Sequence, residues 1–200
     1  MELRIQMLDS NNDLLVFTDE KFKESIVSEI RDYCCLNERF HIYDEKENLV
    51  AEISAFFIDE CRSYSCGLSI TTVADYMSQE LLDAIQVLVK TEDYDEIILT
   101  PAYTCYIQTL YVYPEFRNMG IGKYLWENIV DIFEYFMKKD IHAIIVYPKP
   151  HTITIKNEDT FEKEPIEDDE MLQKMKNGLI SGGYKEINNS NYYMRIFLDE

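Results

Sequence analysis

The segment Leu110 to Gly122, Leu-Tyr-Val-Tyr-Pro-Glu-Phe-Arg-Asn-Met-Gly-Ile-Gly, limits this chain to few folds. It joins an alternating apolar run, Tyr106 to Val112, to a stretch with helical period, Ile121 to Lys138. A strand therefore ends by Pro114, a glycine-punctuated loop follows and a helix begins. The first four amides of a helix have no intrahelical acceptor and carry the positive end of the helix dipole, so an anion such as phosphate can fill the vacancy. Gly120 and Gly122 remove the Cβ atoms that would hold a bulky ligand away, and Arg117 and Lys123 add positive charge at the two ends of the loop. The dipole alone supplies about 0.3 to 1 kcal/mol at an exposed site, so convergent amides and a cation must supply the rest.

Two phosphate motifs built on the same backbone physics fail on spacing. A Walker loop needs Gly-x-x-x-x-Gly-Lys-Ser/Thr, but Tyr124 follows Gly122-Lys123 and position 117 is arginine. A dinucleotide fingerprint needs a third glycine, and Trp126 and Glu127 stand beyond the loop instead. The run Arg117-Asn118-Met119-Gly120-Ile121-Gly122 resembles the Arg/Gln-x-x-Gly-x-Gly/Ala signature of the GNAT superfamily of N-acetyltransferases, and Leu110 to Pro114 looks like that family's fourth strand. The resemblance covers residues 105 to 138 and is weak elsewhere.

The resemblance implies an α/β (α+β) fold: a central, mixed, mostly antiparallel twisted sheet of about six to seven strands flanked by helices. It implies acetyl-CoA as acyl donor, with no metal. The pantetheine arm would run antiparallel along Leu110, Tyr111 and Val112, and the pyrophosphate would rest on Arg117, Asn118, Met119, Gly120, Ile121, Gly122 and Lys123. The backbone amide of Leu110 is the candidate donor to the thioester oxygen, a contact worth roughly 3 kcal/mol. A lysine-like acceptor has a pKa near 10.4, so freeing its nitrogen at pH 7 costs about 4 to 5 kcal/mol and calls for a base or a water chain. In some family members that base is a glutamate on the fourth strand; the corresponding residue here is Tyr106. The two-residue period of a strand puts Tyr106, Gln108, Leu110 and Val112 on one face, where Tyr106 or Gln108 would position a water. The family's proton-donating tyrosine precedes a Gly-Phe that Gly183-Tyr184 resembles, but four residues before Gly183 stands Leu179. Tyr147 and His151 are substitutes by location, and His151 has a suitable ordinary pKa.

Around the segment, Glu2 to Leu8 reads as a strand, Glu20 to Tyr33 as a helix, and Phe40 to Tyr43 with Leu49 to Ile58 as a hairpin about the polar turn 44 to 48. Asp75 to Lys90 carries Met77, Leu81, Ile85 and Leu88 on one helical face, an inserted helix before the fourth strand that either covers the sheet or shapes an acceptor pocket. His142 to Tyr147 reads as a buried fifth strand stopped by Pro148 and Pro150. The acidic stretch from about 152 to 170, richest from Glu158 onward, reads as a solvated loop or a flap for a cationic acceptor. Met171 to Ile180 resumes a helix that Gly182-Gly183 ends, and Tyr192 to Leu198 closes as a strand.

Two hundred residues at 46% apolar composition suit a single domain over residues 1 to 200. No apolar run is long enough to span a bilayer and Met1 to Ser10 lacks signal-peptide character, so a cytoplasmic protein is expected. Five cysteines without metal-ligand spacing read as buried free thiols. The net charge of −19 argues against nucleic-acid and membrane partners and favours a small amine or a basic protein as acceptor, although acidity also serves solubility. Two other readings fit the missing tyrosine and the acidity: an acyl-CoA-binding protein without activity, and an acidic interaction module. The acceptor and the oligomeric state stay open.

Overall fold

A computed structural model describes residues 3–8, 34–92, 101–157, 160–187 and 190–197. The elements in chain order are β1 (Arg4–Leu8), β2 (Cys35–Tyr43), β3 (Leu49–Asp59), α1 (Glu60–Ser65), α2 (Ile70–Met77), α3 (Gln79–Leu88), β4 (Tyr103–Val112), α4 (Ile121–Met137), β5 (Ile141–Val146), β6 (His151–Asn157), β7 (Thr160–Pro165), α5 (Asp169–Ser181), β8 (Lys185–Glu186) and β9 (Tyr193–Ile196). Seven strands form one sheet in the order β1-β2-β3-β4-β5-β9-β8, antiparallel except for the pair β4-β5, while β6 and β7 form a separate hairpin. The parallel pair follows from its connection, because α4 crosses over between the two strands.

Each face of the sheet has its own core. On one face α4 lays Ile121, Leu125, Ile129 and Phe133 against Phe40, Ile53 and Phe57, with Leu179 of α5 in the same cluster. The Phe133 ring centre lies 5.0 Å from Phe40 and 4.9 Å from Phe57, an aromatic cluster that anchors α4. On the other face α2 and α3 supply Val73, Leu81, Ile85 and Leu88 against Phe56, Ile58, Tyr106 and Ile145. β5 is buried along its whole length because helices cover it from both sides.

Three sequence expectations change. The single helix expected over residues 75 to 90 is two helices broken at Ser78, whose extended backbone and side-chain acceptor cap α3 through the Leu81 amide. The acidic stretch from about 152 to 170 is not a loop: its first part pairs as β6 and β7, and Asp168 caps α5. Counting carboxylates hid the β-branched alternation of Thr152-Ile153-Thr154-Ile155, which favours a strand whatever its charge. The five cysteines are free thiols, but only Cys34, Cys35 and Cys105 are buried. The helix expected over Glu20 to Tyr33 lies outside the described residues.

Candidate functional site

The site begins with a break in pairing. β4 pairs with β5 only from Tyr103 to Ile107, and from there to Val112 it has β3 on one side alone. The same position carries a β-bulge: Ser54 faces Thr109 and Ala55 faces Ile107, so Gln108 is the extra residue. The bulge reverses the alternation. Cys105 and Ile107 precede it on the α4 face, and Leu110 and Val112 follow it on that same face. Tyr106 belongs to the opposite core, so the expectation that Tyr106 shares a face with Leu110 and Val112 fails because the two-residue period does not survive an inserted residue.

Beyond the open edge, Pro114–Phe116 makes one 3-10 turn and the chain enters α4 through two left-handed residues, Asn118 at φ 62° and Gly120 at φ 84°. Gly120 is needed for its backbone angle, since a Cβ there would meet nothing. Arg117 folds back on the strand: its Nε donates to the Val112 carbonyl at 3.0 Å, its guanidinium lies 5.3 Å from the Tyr111 ring centre, and its buried Nη2 has no hydrogen-bond partner among the described residues. Lys123 is exposed and lies 3.7 Å from Glu127.

A cleft of about 640 Å³ runs along this assembly, lined by Leu110, Tyr111, Val112, Arg117, Asn118, Gly120, Ile121, Gly122 and Lys123. Met119 is not among the lining residues and is 58% exposed. The opposite wall comes from elements distant in sequence: Lys149 after β5, Asp168 before α5, and Glu170, Met171, Lys174, Met175 and Gly178 of α5. Lys174 and Lys149 add cations across the cleft from Arg117, and the helical spacing of Met171, Lys174, Met175 and Gly178 was the available signal. Gly182, the residue that ends α5, permits the close approach to α4: a Cβ there would lie 2.9 Å from the Trp126 carbonyl oxygen.

His151 lines this cleft and also a smaller one in the gap between β4 and β5, where Gln108, Leu110 and Tyr147 join it. Tyr106 lines neither. Its hydroxyl donates to Glu80 Oε1 at 2.9 Å, and Gln108 Nε2 donates to Glu80 Oε2 at 3.2 Å while Ser54 Oγ donates to Gln108 Oε1 at 3.3 Å. Burial first, and then the charge of Glu80, holds the Tyr106 phenol far above its ordinary range, so it stays a donor. Tyr147 packs against Tyr192 with ring centres 5.2 Å apart and the planes tilted by 46°. Leu179, four residues before Gly183, is fully buried in the α4 core.

A second polar cluster lies at the start of β4. Glu60 accepts from Thr104, and burial foremost pushes its carboxyl up to about 7. Asp59 beside it takes Lys139 at 2.7 Å. Thr104 is six strand residues before Leu110, roughly 20 Å at strand rise, which excludes Glu60 from the chemistry at Leu110.

The family model described as Acetyltransferase (GNAT) family matches residues 11–152. No curated protein matches the chain in sequence. Among solved structures, a mutant of KacT is 13% identical, with 98% of this chain and 95% of that one covered at a TM-score of 0.46. Mutant forms of the spermidine/spermine N-acetyltransferase SpeG from Vibrio cholerae are 12% identical over 98% and 95% of the two chains, at 0.42. NAA60 of Arabidopsis thaliana in complex with acetyl-CoA is 12% identical over 98% of both, at 0.37.

Proposed function

The chain belongs to the acetyltransferase (GNAT) family, and from that premise we propose that it is an acetyl-CoA-dependent N-acetyltransferase acting on a primary amine. One observation carries the reading: the unpaired edge of β4 from Leu110 to Val112 opens directly onto the cleft at the start of α4 that Arg117 and Lys123 line. The residues present fit the donor. An open strand edge offers backbone donors and acceptors to an extended amide chain such as pantetheine. Arg117, Lys123, Lys149 and Lys174 line the cleft together with Asp168 and Glu170, and the Arg117 guanidinium at the helix start is a fitting partner for an anion. Acetyl-CoA supplies an acetyl group activated as a thioester. Leu110 contributes a backbone amide for the thioester oxygen, α4 and the glycine loop hold phosphate, and α5 excludes water from one side.

The net charge of −19 supports a cationic acceptor, a small amine or a basic protein surface. Calorimetry with acetyl-CoA tests the binding reading: Arg117→Glu and Gly120→Asp lose at least about 100-fold in affinity while circular dichroism shows the fold retained, since each places a negative charge against the phosphates. Undiminished affinity in both folded variants overturns it. Release of free thiol with a panel of amines separates a transferase from a protein that only binds the coenzyme.

A further inference from the structure

Neither Tyr106 nor Gln108 on β4 is a base at neutral pH. The fold supplies a carboxylate there from another element. We infer that Glu80, at the start of α3, is the base that takes the proton of the acceptor amine; this rests on the transferase reading above.

Four observations converge on it. Glu80 is held from two sides by groups of β4, the Tyr106 hydroxyl at 2.9 Å and the Gln108 amide at 3.2 Å, one bond to each carboxylate oxygen. Gln108 is the bulged residue and lines the gap beside Leu110; Glu80 lines neither cleft itself and is linked to that gap through its bond from Gln108. Glu80 is exposed, with none of the ion pairs among the described residues involving it, and is therefore open to a cation. The groups that face it add aromatic and acidic character: Tyr106 from β4, Tyr147 from the end of β5, Tyr192 before β9, and Asp83 one turn along α3. An alkylammonium is attracted both by carboxylates and by aromatic faces. Tyr106 and Gln108 are then positioning residues, and Tyr106 keeps its proton throughout.

The step balances. One proton passes from the ammonium nitrogen to Glu80. The freed lone pair forms the N–C bond to the acetyl carbon as the C–S bond breaks. The second proton lost by that nitrogen, as it becomes an amide, satisfies the departing sulfur, and Glu80 returns its proton to solvent.

The test compares wild type with Glu80→Gln for thiol release from acetyl-CoA with butylamine, putrescine and a C-terminally amidated lysyl peptide, from pH 6.5 to 10. The variant keeps its affinity for acetyl-CoA by calorimetry and loses about 100-fold or more in kcat/KM for the amine at pH 7, the usual worth of a positioned base. The deficit narrows about tenfold per pH unit toward the amine pKa near 10.4, since the free amine then needs no base. Glu80→Ala shows partial rescue by added formate. Tyr106→Phe falls only several-fold, with a similar drift of the profile. A wild type active on any of these amines together with an unchanged Glu80→Gln overturns the inference and leaves the transferase reading standing. So does a deficit that is constant with pH. A wild type that binds acetyl-CoA and acetylates none of them overturns both.

Discussion

The two sides of β4 are built in opposite ways. On the α4 side the cleft is assembled from consecutive residues, Leu110 to Lys123, whose strand, turn, left-handed Gly120 and helix start are each decided within a few positions. On the α3 side nothing is consecutive: Glu80, Gln108, Tyr147 and Tyr192 come from four segments and meet only because the sheet and α3 pack as they do. A local site withstands loss of distant packing, whereas a dispersed one moves with the element that carries it.

The largest test of that contrast is Leu81→Ala. Leu81 is fully buried under α3, next to Glu80, and its truncation costs about 2 to 5 kcal/mol by lost transfer energy and a residual cavity. Below the lowered melting temperature the variant retains acetyl-CoA affinity within about threefold and loses amine turnover severely. Calorimetry and a thiol-release assay on the same sample read both. Equal losses in the two would show that α3 and the cofactor cleft are one cooperative unit.

The next test asks whether the α3 side carries its own pH dependence. Glu60 opens α1, which leads from β3 into that layer, and burial raises its folded-state pKa to about 7. A raised carboxyl pKa means the native state holds a proton that the unfolded chain releases. Its contribution is thus fully present below about 4.5 and is lost as pH climbs through 7. The span is worth roughly 3 kcal/mol. Urea unfolding of wild type minus Glu60→Gln at pH 5 and pH 8 should show this difference, with the variant relatively more stable at pH 8. An identical pH slope in both proteins would remove Glu60 as its source.

The contrast also explains what the sequence made legible. The hairpin of β2 and β3, the buried β5, α4 and the cofactor loop follow from runs of residues whose period or turn chemistry is local. The bulge at Gln108 left no mark, because a bulged strand still alternates in composition; only the partner's register shows that one residue is extra. Glu80 was invisible for a related reason. A glutamate in the first turn of an amphipathic helix is ordinary dipole chemistry, and its meaning depends on Tyr106 and Gln108 arriving from 26 and 28 residues away. Lys174 on α5 is a similar case, one of an exposed i, i+4 pair with Glu170 that also lines the cleft.

The smallest expected effect on stability is the one that best separates binding from folding on the α4 side. Lys123 is 64% exposed and, among the described residues, pairs with Glu127 at 3.7 Å, one helical turn along. An exposed pair of that kind is worth about 0.3 to 0.5 kcal/mol and is screened by salt, so Lys123→Ala should leave the urea midpoint nearly unchanged. Its ammonium nevertheless lines the cleft at the amide end of α4, where a phosphate would gain from it. Acetyl-CoA affinity should therefore fall several-fold at low ionic strength, and the gap should close as salt is raised. A loss of unfolding free energy above about 1 kcal/mol would mean that Lys123 holds the helix start, and the loop side would then depend on side-chain packing as the α3 side does. An affinity loss that salt does not touch would assign Lys123 a shape role instead of a charge role, because screening acts on exposed charges and not on contacts.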